Sequence, residues 1–543
     1  MSRKRPHIII FNPDQMRGDA LGHLGNPAAV TPNLDGFVKE DAVSFSNAFC
    51  QNPVCVPSRC SFFTGLYPHV LGHRTMSYLL HPGEESLFSE LRRSGYYVWM
   101  NDRNDLTAGQ IPGWTESHAD EIYYSGQVKR APGPVLNLRG EPGGKYYYSH
   151  YEGELGLDES GKNYNGDDEI VDAAIERLKN PVDERPMCVF LGLFYPHTPY
   201  QIEEPYFSSV NREKLPPRIS SKECSGKSKI LDKIRAYQSM DSFTEEEWRE
   251  LRAVYLGMCG KVDDLFGRLL RALKEMGIYD DCAIFFLSDH GDYTGDYDMV
   301  EKCQNSFEDC LTRVPLLVKP PKGIPCRPGI SLALTELIDF YATVMDFADT
   351  KPSHTHFGKS LRPLLANPDL SHRSYVFCEG GRMPGERHCD EFHEYGESGA
   401  APSSVYWPKM MAQTDDEAHG KGIMIRNEHY KYISRTHGDD EFYHLDLDPM
   451  ETKNCMGDSR YEPVITELRL RMLKWLQATD DIVPLQYDKR FTPEMIWARV
   501  RNQVTEEMEP LIREMIAEGK SLPEIMQFCR EYHENRKAKG EQT

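Results

Sequence analysis

Several short stretches of this chain carry residue types that do chemistry on anions. The first is Asn52-Pro53-Val54-Cys55-Val56-Pro57-Ser58-Arg59-Cys60-Ser61. Pro57 suits the first turn of a helix, where a missing N–H is no loss, and Gly65 can close that helix in a left-handed cap. Cys55 then sits at a helix N-terminus, facing free backbone N–H groups and the positive end of the dipole, with Arg59 adding a cation one turn on. An oxyanion is the natural guest of such a place. Read locally, Cys55 is either a space-filling thiol or one activated by that field.

Three further stretches follow strand-like runs. Asp14 comes directly after His7-Ile8-Ile9-Ile10-Phe11, and Ser288-Asp289-His290-Gly291-Asp292 after Ala283-Ile284-Phe285-Phe286-Leu287. Pro196-His197-Thr198-Pro199 follows Met187 to Leu193. Open α/β sheets keep their ligands at the carboxyl ends of such strands. Together Asp14, Asp289 and His290 offer mixed oxygen and nitrogen donors of the right polarity for a hard divalent ion. Taken singly, each aspartate is a turn cap and the histidine a structural residue.

The elements that must position these groups read as an α/β protein. The β-branched run at 7–11 and the apolar runs at 96–100, 187–193 and 283–287 have the unbroken character of strands buried on both faces in a parallel sheet. Glu245 to Met276 carries the longest helical pattern, with Leu251, Val254, Tyr255, Met258, Val262, Leu265 and Phe266 on one face. Shorter helices are expected over 85–94, 170–178 and 335–347. Beyond residue 370, Gly422 to Arg426, Tyr430 to Ile433 and Glu441 to Leu445 alternate as short antiparallel strands. Residues 107–166 and 380–418 read as insertions over the sheet edge, the first with Lys145-Tyr146-Tyr147-Tyr148-Ser149-His150-Tyr151, the second with His388, His393, Tyr406 and Trp407. Their aromatic residues either stack on a ligand or pack the loops. The expected organisation is an α/β domain over 1–370, a small antiparallel domain over 371–470 and a helical tail over 471–543. Apolar stripes in the tail (Leu511, Ile512, Met515, Ile516; Ile525, Met526, Phe528, Cys529) need a surface, their own core or a neighbouring subunit, so a homo-oligomer through the tail is one expectation.

Composition narrows the function class. Among 543 residues, 84 acidic against 63 basic side chains give a formal charge of -21, which argues against nucleic acid or an anionic membrane as partner. No stretch has the length of a membrane span. Fourteen cysteines without a secretion signal read as reduced thiols, so a cytoplasmic enzyme is expected.

Cys55-x-Pro57-Ser58-Arg59 followed by Ser61-Phe62-Phe63-Thr64-Gly65-Leu66-Tyr67-Pro68-His69 resembles the signature of the formylglycine-dependent (type I) sulfatases, of the alkaline-phosphatase-like superfamily. The stretches Gly25-Asn26-Pro27 to Asp35, Pro196-His197-Thr198-Pro199, Asp289-His290, Lys302, Phe307 to Val318 and Asp448-Pro449-Met450-Glu451 follow in that family's order. The resemblance implies a large, mostly parallel sheet sandwiched by helices with a smaller C-terminal antiparallel α+β domain. It implies that a maturation enzyme oxidises Cys55 to formylglycine, whose hydrate is the nucleophile. Asp14, Asp289, His290 and the group made from Cys55 would hold calcium, with manganese or magnesium as alternatives. Many members carry a second aspartate where this chain has Gln15, a neutral oxygen donor that would join these metal ligands. Arg59, Arg103 and Lys302 would neutralise the transferring group, and His197 would assist the leaving alcohol. The family usually shows Gly-Lys-x-His after the strand at 96–100, where this chain has Asp102-Arg103-Asn104-Asp105. Arg103 can replace the lysine with a forked geometry. Asp105 cannot replace a histidine as a cation, and it or another group must serve as base in breaking down the sulfated intermediate. The implied activity is hydrolysis of a sulfate ester of a carbohydrate or aryl alcohol. Two alternatives stand beside it: a phosphonate monoester or phosphodiester hydrolase of the same superfamily, and a non-catalytic binder of sulfated glycans should Cys55 stay unmodified.

Overall fold

The computed structural model describes residues 5–127, 139–158, 161, 163–386, 401–485 and 490–538. His388 and His393 lie outside the described residues. The chain divides into two compact units, Met1–Ile482 and Val483–Thr543.

In the first unit the strands, in chain order, are β1 (His7–Asn12), β2 (Val43–Phe49), β3 (Tyr97–Asn101), β4 (Glu121–Tyr123), β5 (Tyr151–Leu155), β6 (Met187–Gly192) and β7 (Tyr200–Glu203). They continue with β8 (Cys282–Leu287), β9 (Leu316–Lys319), β10 (Gly329–Glu336), β11 (Val376–Gly380), β12 (Gly422–Arg426), β13 (Tyr430–Arg435) and β14 (Glu441–His444). Eight of these form one sheet in the order β10-β2-β9-β8-β1-β6-β3-β4. Its ladders are parallel except where β9 pairs with β2 and β8. A second sheet, β11-β12-β13-β14, is antiparallel throughout.

Alternation along β1 explains its burial on both faces. Ile9 and Phe11 join one core cluster with the inner face of the Glu245–Glu275 helix (Val262, Leu265, Phe266, Leu269), while Ile8 and Ile10 join another with Phe62 and Phe63 of the Cys55–Thr64 helix. A strand covered on both faces has no solvent side on which to place polar residues, hence the unbroken run.

Some elements differ from the sequence reading. Thr335 and Glu336, expected in a helix, close β10, and the helix begins at Ile338. As an edge strand with a register shift between Ser331 and Leu334, β10 turns Ile330 and Leu332 outward, so its apolar spacing imitates no simple strand. The first insertion is not all loop, for it contributes β4 to the main sheet and β5 to a parallel pair with β7. Pro523, expected to break a helix, stands in the first turn of Leu522–Ala538, where proline is tolerated. In the second unit the tail's apolar stripes cover one another: Ile496, Val500, Met508, Ile512, Ile516, Ile525 and Cys529 form one cluster.

Candidate active site

Carboxyl ends of β1, β3, β6 and β8 open toward one place, and the chain after β2 enters it with the Cys55–Thr64 helix. The helix runs from Cys55 to Thr64 and is capped by Gly65, whose φ of 72° turns the chain so that the Leu66 N–H also reaches Ser61 O. Cys55 is 5% exposed, with its Sγ 3.7 Å from Met76 Sδ. One turn on, the fully buried Arg59 gathers the site. Its Nε donates to Asp289 Oδ2 at 2.9 Å and a terminal nitrogen to Asp14 Oδ2 at 2.8 Å. Its other terminal nitrogen lies 3.4 Å from Asp105 Oδ2.

Arg103 donates to the same Asp14 oxygen at 2.7 Å and lays its guanidinium over the Phe194 ring. Asn101 fixes this loop, exchanging hydrogen bonds with Gly192 at the end of β6. A Cβ on Gly192 would come within 2.3 Å of Arg103 O, so glycine alone lets the loop pass. Burial by itself would raise the Asp14 carboxyl, but the Arg103 and Arg59 guanidiniums outweigh it and hold it well below the usual range. Asp14 is therefore a carboxylate.

Asp14, Asp289 and His290 bring one ligand atom each within 4.8 Å of one another, and Asp14, Cys55 and Asp105 form a second such group. His290 Nδ1 donates to Gly291 O, so Nε2 is the ring nitrogen turned to the site. That Nε2 and Asp14 Oδ1 stand 3.6 Å apart, fully buried, and neither has a hydrogen-bond partner among the described residues. Two orphaned donor atoms beside a second carboxylate, Asp289, are what a hard divalent cation requires. The residues fit a metal.

Gln15 stands on another side of the site. Its amide nitrogen donates to Asp292 and its amide oxygen accepts from Lys302 Nζ at 2.7 Å, so its side chain bridges these residues. Lys302 Nζ also donates to His197 Nε2 at 2.8 Å and to Glu301 Oε1 at 2.7 Å. His197 Nδ1 faces Thr198 O, an acceptor only, so the ring carries its proton on Nδ1 and accepts at Nε2. The proton held between the two side chains thus belongs to Lys302. Asp167, at the start of the Gly166–Lys179 helix, clamps the His197 loop by accepting from the backbone N–H groups of Phe194 and Tyr195.

Asp14, Gln15, Cys55, Arg59, Arg103, Asp105, His197, Asp289, His290 and Lys302 all lie in this region. Glu301, Asp292, Tyr200 and Lys409 were not singled out. Asp292 belonged to a motif already quoted, and Glu301 adjoins Lys302. For Lys409, on the Trp407–Gln413 helix, no sequence signal existed.

A family model described as Sulfatase matches residues 6–350, which span this whole constellation except Lys409. The chain belongs to the sulfatase family. It is an enzyme of the sulfuric ester hydrolase class. Arylsulfatase K of Danio rerio is 26% identical over 411 residues, covering 70% of this chain and 72% of the relative. The multifunctional alkaline phosphatase superfamily protein PehA of Trinickia caryophylli is 25% identical, covering 88% and 95%. Among solved structures, the phosphonate monoester hydrolase of Agrobacterium radiobacter shares the fold with a TM-score of 0.66 at 21% identity, covering 89% of this sulfatase and 97% of that chain.

Proposed function

We propose that this enzyme hydrolyses a sulfate ester through a formylglycine made from Cys55 by a maturation enzyme, with calcium, or else manganese or magnesium, held by Asp14, Asp289 and His290. The observation that carries this reading is the pair of orphaned atoms, Asp14 Oδ1 and His290 Nε2, buried beside the helix that begins at Cys55. When bound and formed, these groups supply a polarised sulfate oxygen and a nucleophilic hydrate oxygen. Arg59 holds Asp14 and Asp289 in place, and with Arg103 it keeps Asp14 ionised. Arg103, the more exposed guanidinium at 28%, faces the transferring group and stabilises its charge. Lys302 presents a proton at His197 Nε2 for the departing alcohol. Asp105, within reach of Arg59, is the candidate base for regenerating the aldehyde. Gln15, expected beside the metal, instead orients Lys302.

A second reading, phosphonate monoester or phosphodiester hydrolysis, has support in the likeness to PehA and in Asp105, which stands where sulfatases usually carry a histidine. Mass spectrometry of the Cys55 peptide is expected to show formylglycine, and parallel assays are expected to favour sulfate esters. An unmodified thiol would instead support a non-catalytic binder of sulfated glycans, and faster phosphonate turnover would support the second reading. The free thiols among the described residues support a cytoplasmic location.

The insertion aromatics do not argue for a sugar. Tyr148 stacks on Trp407, and Tyr147 and Tyr148 donate to Ser403 O and Pro402 O. They join the two insertions to each other.

A further inference from the structure

The second insertion reaches the catalytic lysine through one carboxylate. Lys409 Nζ, on the Trp407–Gln413 helix, donates to Glu301 Oε2 at 2.7 Å, and Lys409 is 7% exposed. Glu301 is 2% exposed and accepts at Oε1 from Lys302 Nζ and at Oε2 from the Lys302 backbone N–H. Its own N–H donates to Tyr200 OH, which donates in turn to Asp292, the partner of Gln15. Glu301 also has a φ of 70°, a left-handed conformation that a non-glycine residue keeps only where its surroundings over-determine it. The carboxylate is therefore the fixed point from which Lys302 extends to His197.

Charge explains why a second lysine is needed. A buried carboxylate with Lys302 as its sole cation would draw that ammonium onto itself and away from an incoming sulfate or leaving oxygen. Lys409 shares the carboxylate, on the oxygen that does not receive Lys302 Nζ. The Lys302 ammonium then stays available to His197 and the leaving group.

We propose that Lys409 is a positioning residue, acting through Glu301 to hold Lys302 for protonation of the leaving alcohol. This rests on the sulfate-ester reading above. It predicts that the residue matters most where the leaving group most needs a proton.

The test uses the full chain with Cys55 matured, and kcat on an alkyl sulfate and on 4-nitrophenyl sulfate. Lys409→Met is expected to lose about tenfold or more on the alkyl ester, the low end for assisted proton transfer being nearer a hundredfold, and less than about threefold on the nitrophenyl ester. Lys409→Arg should recover most of the alkyl activity. In a Glu301→Gln background, Lys409→Met should change kcat less than about twofold, because a residue that acts through another loses its effect when that other is gone. Equal losses on both esters, or an undiminished effect of Lys409→Met in the Glu301→Gln background, would overturn the proposal. If Lys409→Met does not fold, Lys409→Gln, which keeps a donor to Glu301 without the charge, takes its place on both esters and in the Glu301→Gln background. A parent enzyme that turns over neither sulfate ester refutes the sulfate-ester reading instead, a result distinct from all of these.

Discussion

Arg59 and Arg103 meet on a single oxygen, Asp14 Oδ2, yet differ in what removing them should do. Arg59 is wholly buried between Asp14 and Asp289, so Arg59→Met leaves Asp289 without its guanidinium and Asp14 with Arg103 alone, and should cost about 3–5 kcal/mol of stability, read by denaturant unfolding. Arg103 is partly open to solvent. Arg103→Ala should leave the unfolding midpoint near the parent's but remove about 2–4 kcal/mol of transition-state stabilisation in kcat/KM. Arg103→Lys should restore part of that, since the charge returns without the fork. Asp105 tests another step. If it aids aldehyde regeneration, Asp105→Asn should give a burst of released alcohol followed by slow turnover in rapid mixing. Parent-like steady-state rates without a burst would exclude that role. Cys55→Ala should abolish turnover while elemental analysis finds the metal still bound, because Asp14, Asp289 and His290 remain.

Among the elements, the turn after Lys302 is tied to the antiparallel sheet by buried charge. Glu308 pairs with Lys227 at 2.9 Å and accepts from Tyr293 OH, and Lys227 also lies 3.5 Å from Glu441 of β14. Burial alone would raise the Glu308 carboxyl, but Lys227 reverses this and lowers it to about 2. A depressed carboxylate contributes stability that is present above its unfolded value, near 4.5, and is lost as pH falls toward about 2. Glu308→Gln should therefore lower the melting temperature at neutral pH and flatten its decline through that acid window. An unchanged pH slope in the variant would assign the acid sensitivity elsewhere. Element identities were largely readable from residue spacing, and the exceptions have local causes. The edge strand β10 faces its apolar Ile330 and Leu332 outward, against the pattern that identifies half-buried strands.

For the molecule as a whole, the net charge of -21 opposes an anionic substrate while Arg103 and Lys302 attract it at close range. Long-range repulsion is screened beyond about 8–10 Å at physiological ionic strength, whereas buried contacts are little affected. Raising salt from about 0.01 M to about 0.15 M, with an anion that does not compete, should lower KM and leave kcat nearly unchanged. A rise in KM would mean that the cations at the site, not the global field, govern encounter.

Local order was the sequence's to determine. Pro57 and Gly65 bracket the Cys55 helix, unbroken apolar runs specify strands covered on both faces, and donors placed after those runs fall at one sheet edge because parallel strands all end there. The tertiary structure alone decided which side chains face each other across that edge. Lys302 finds Gln15 287 residues away, His197 105 residues away and, through Glu301, a lysine on an insertion helix another 108 residues along. The Gln15 side chain turned to Lys302 and Asp292 rather than to Asp14 and Asp289 because a buried ammonium needs acceptors, and Asp292, itself buried, needed the amide's donor. Such pairings follow from where the folded backbone puts each group and from the cost of leaving any of them unsatisfied, and no spacing along the chain encodes either.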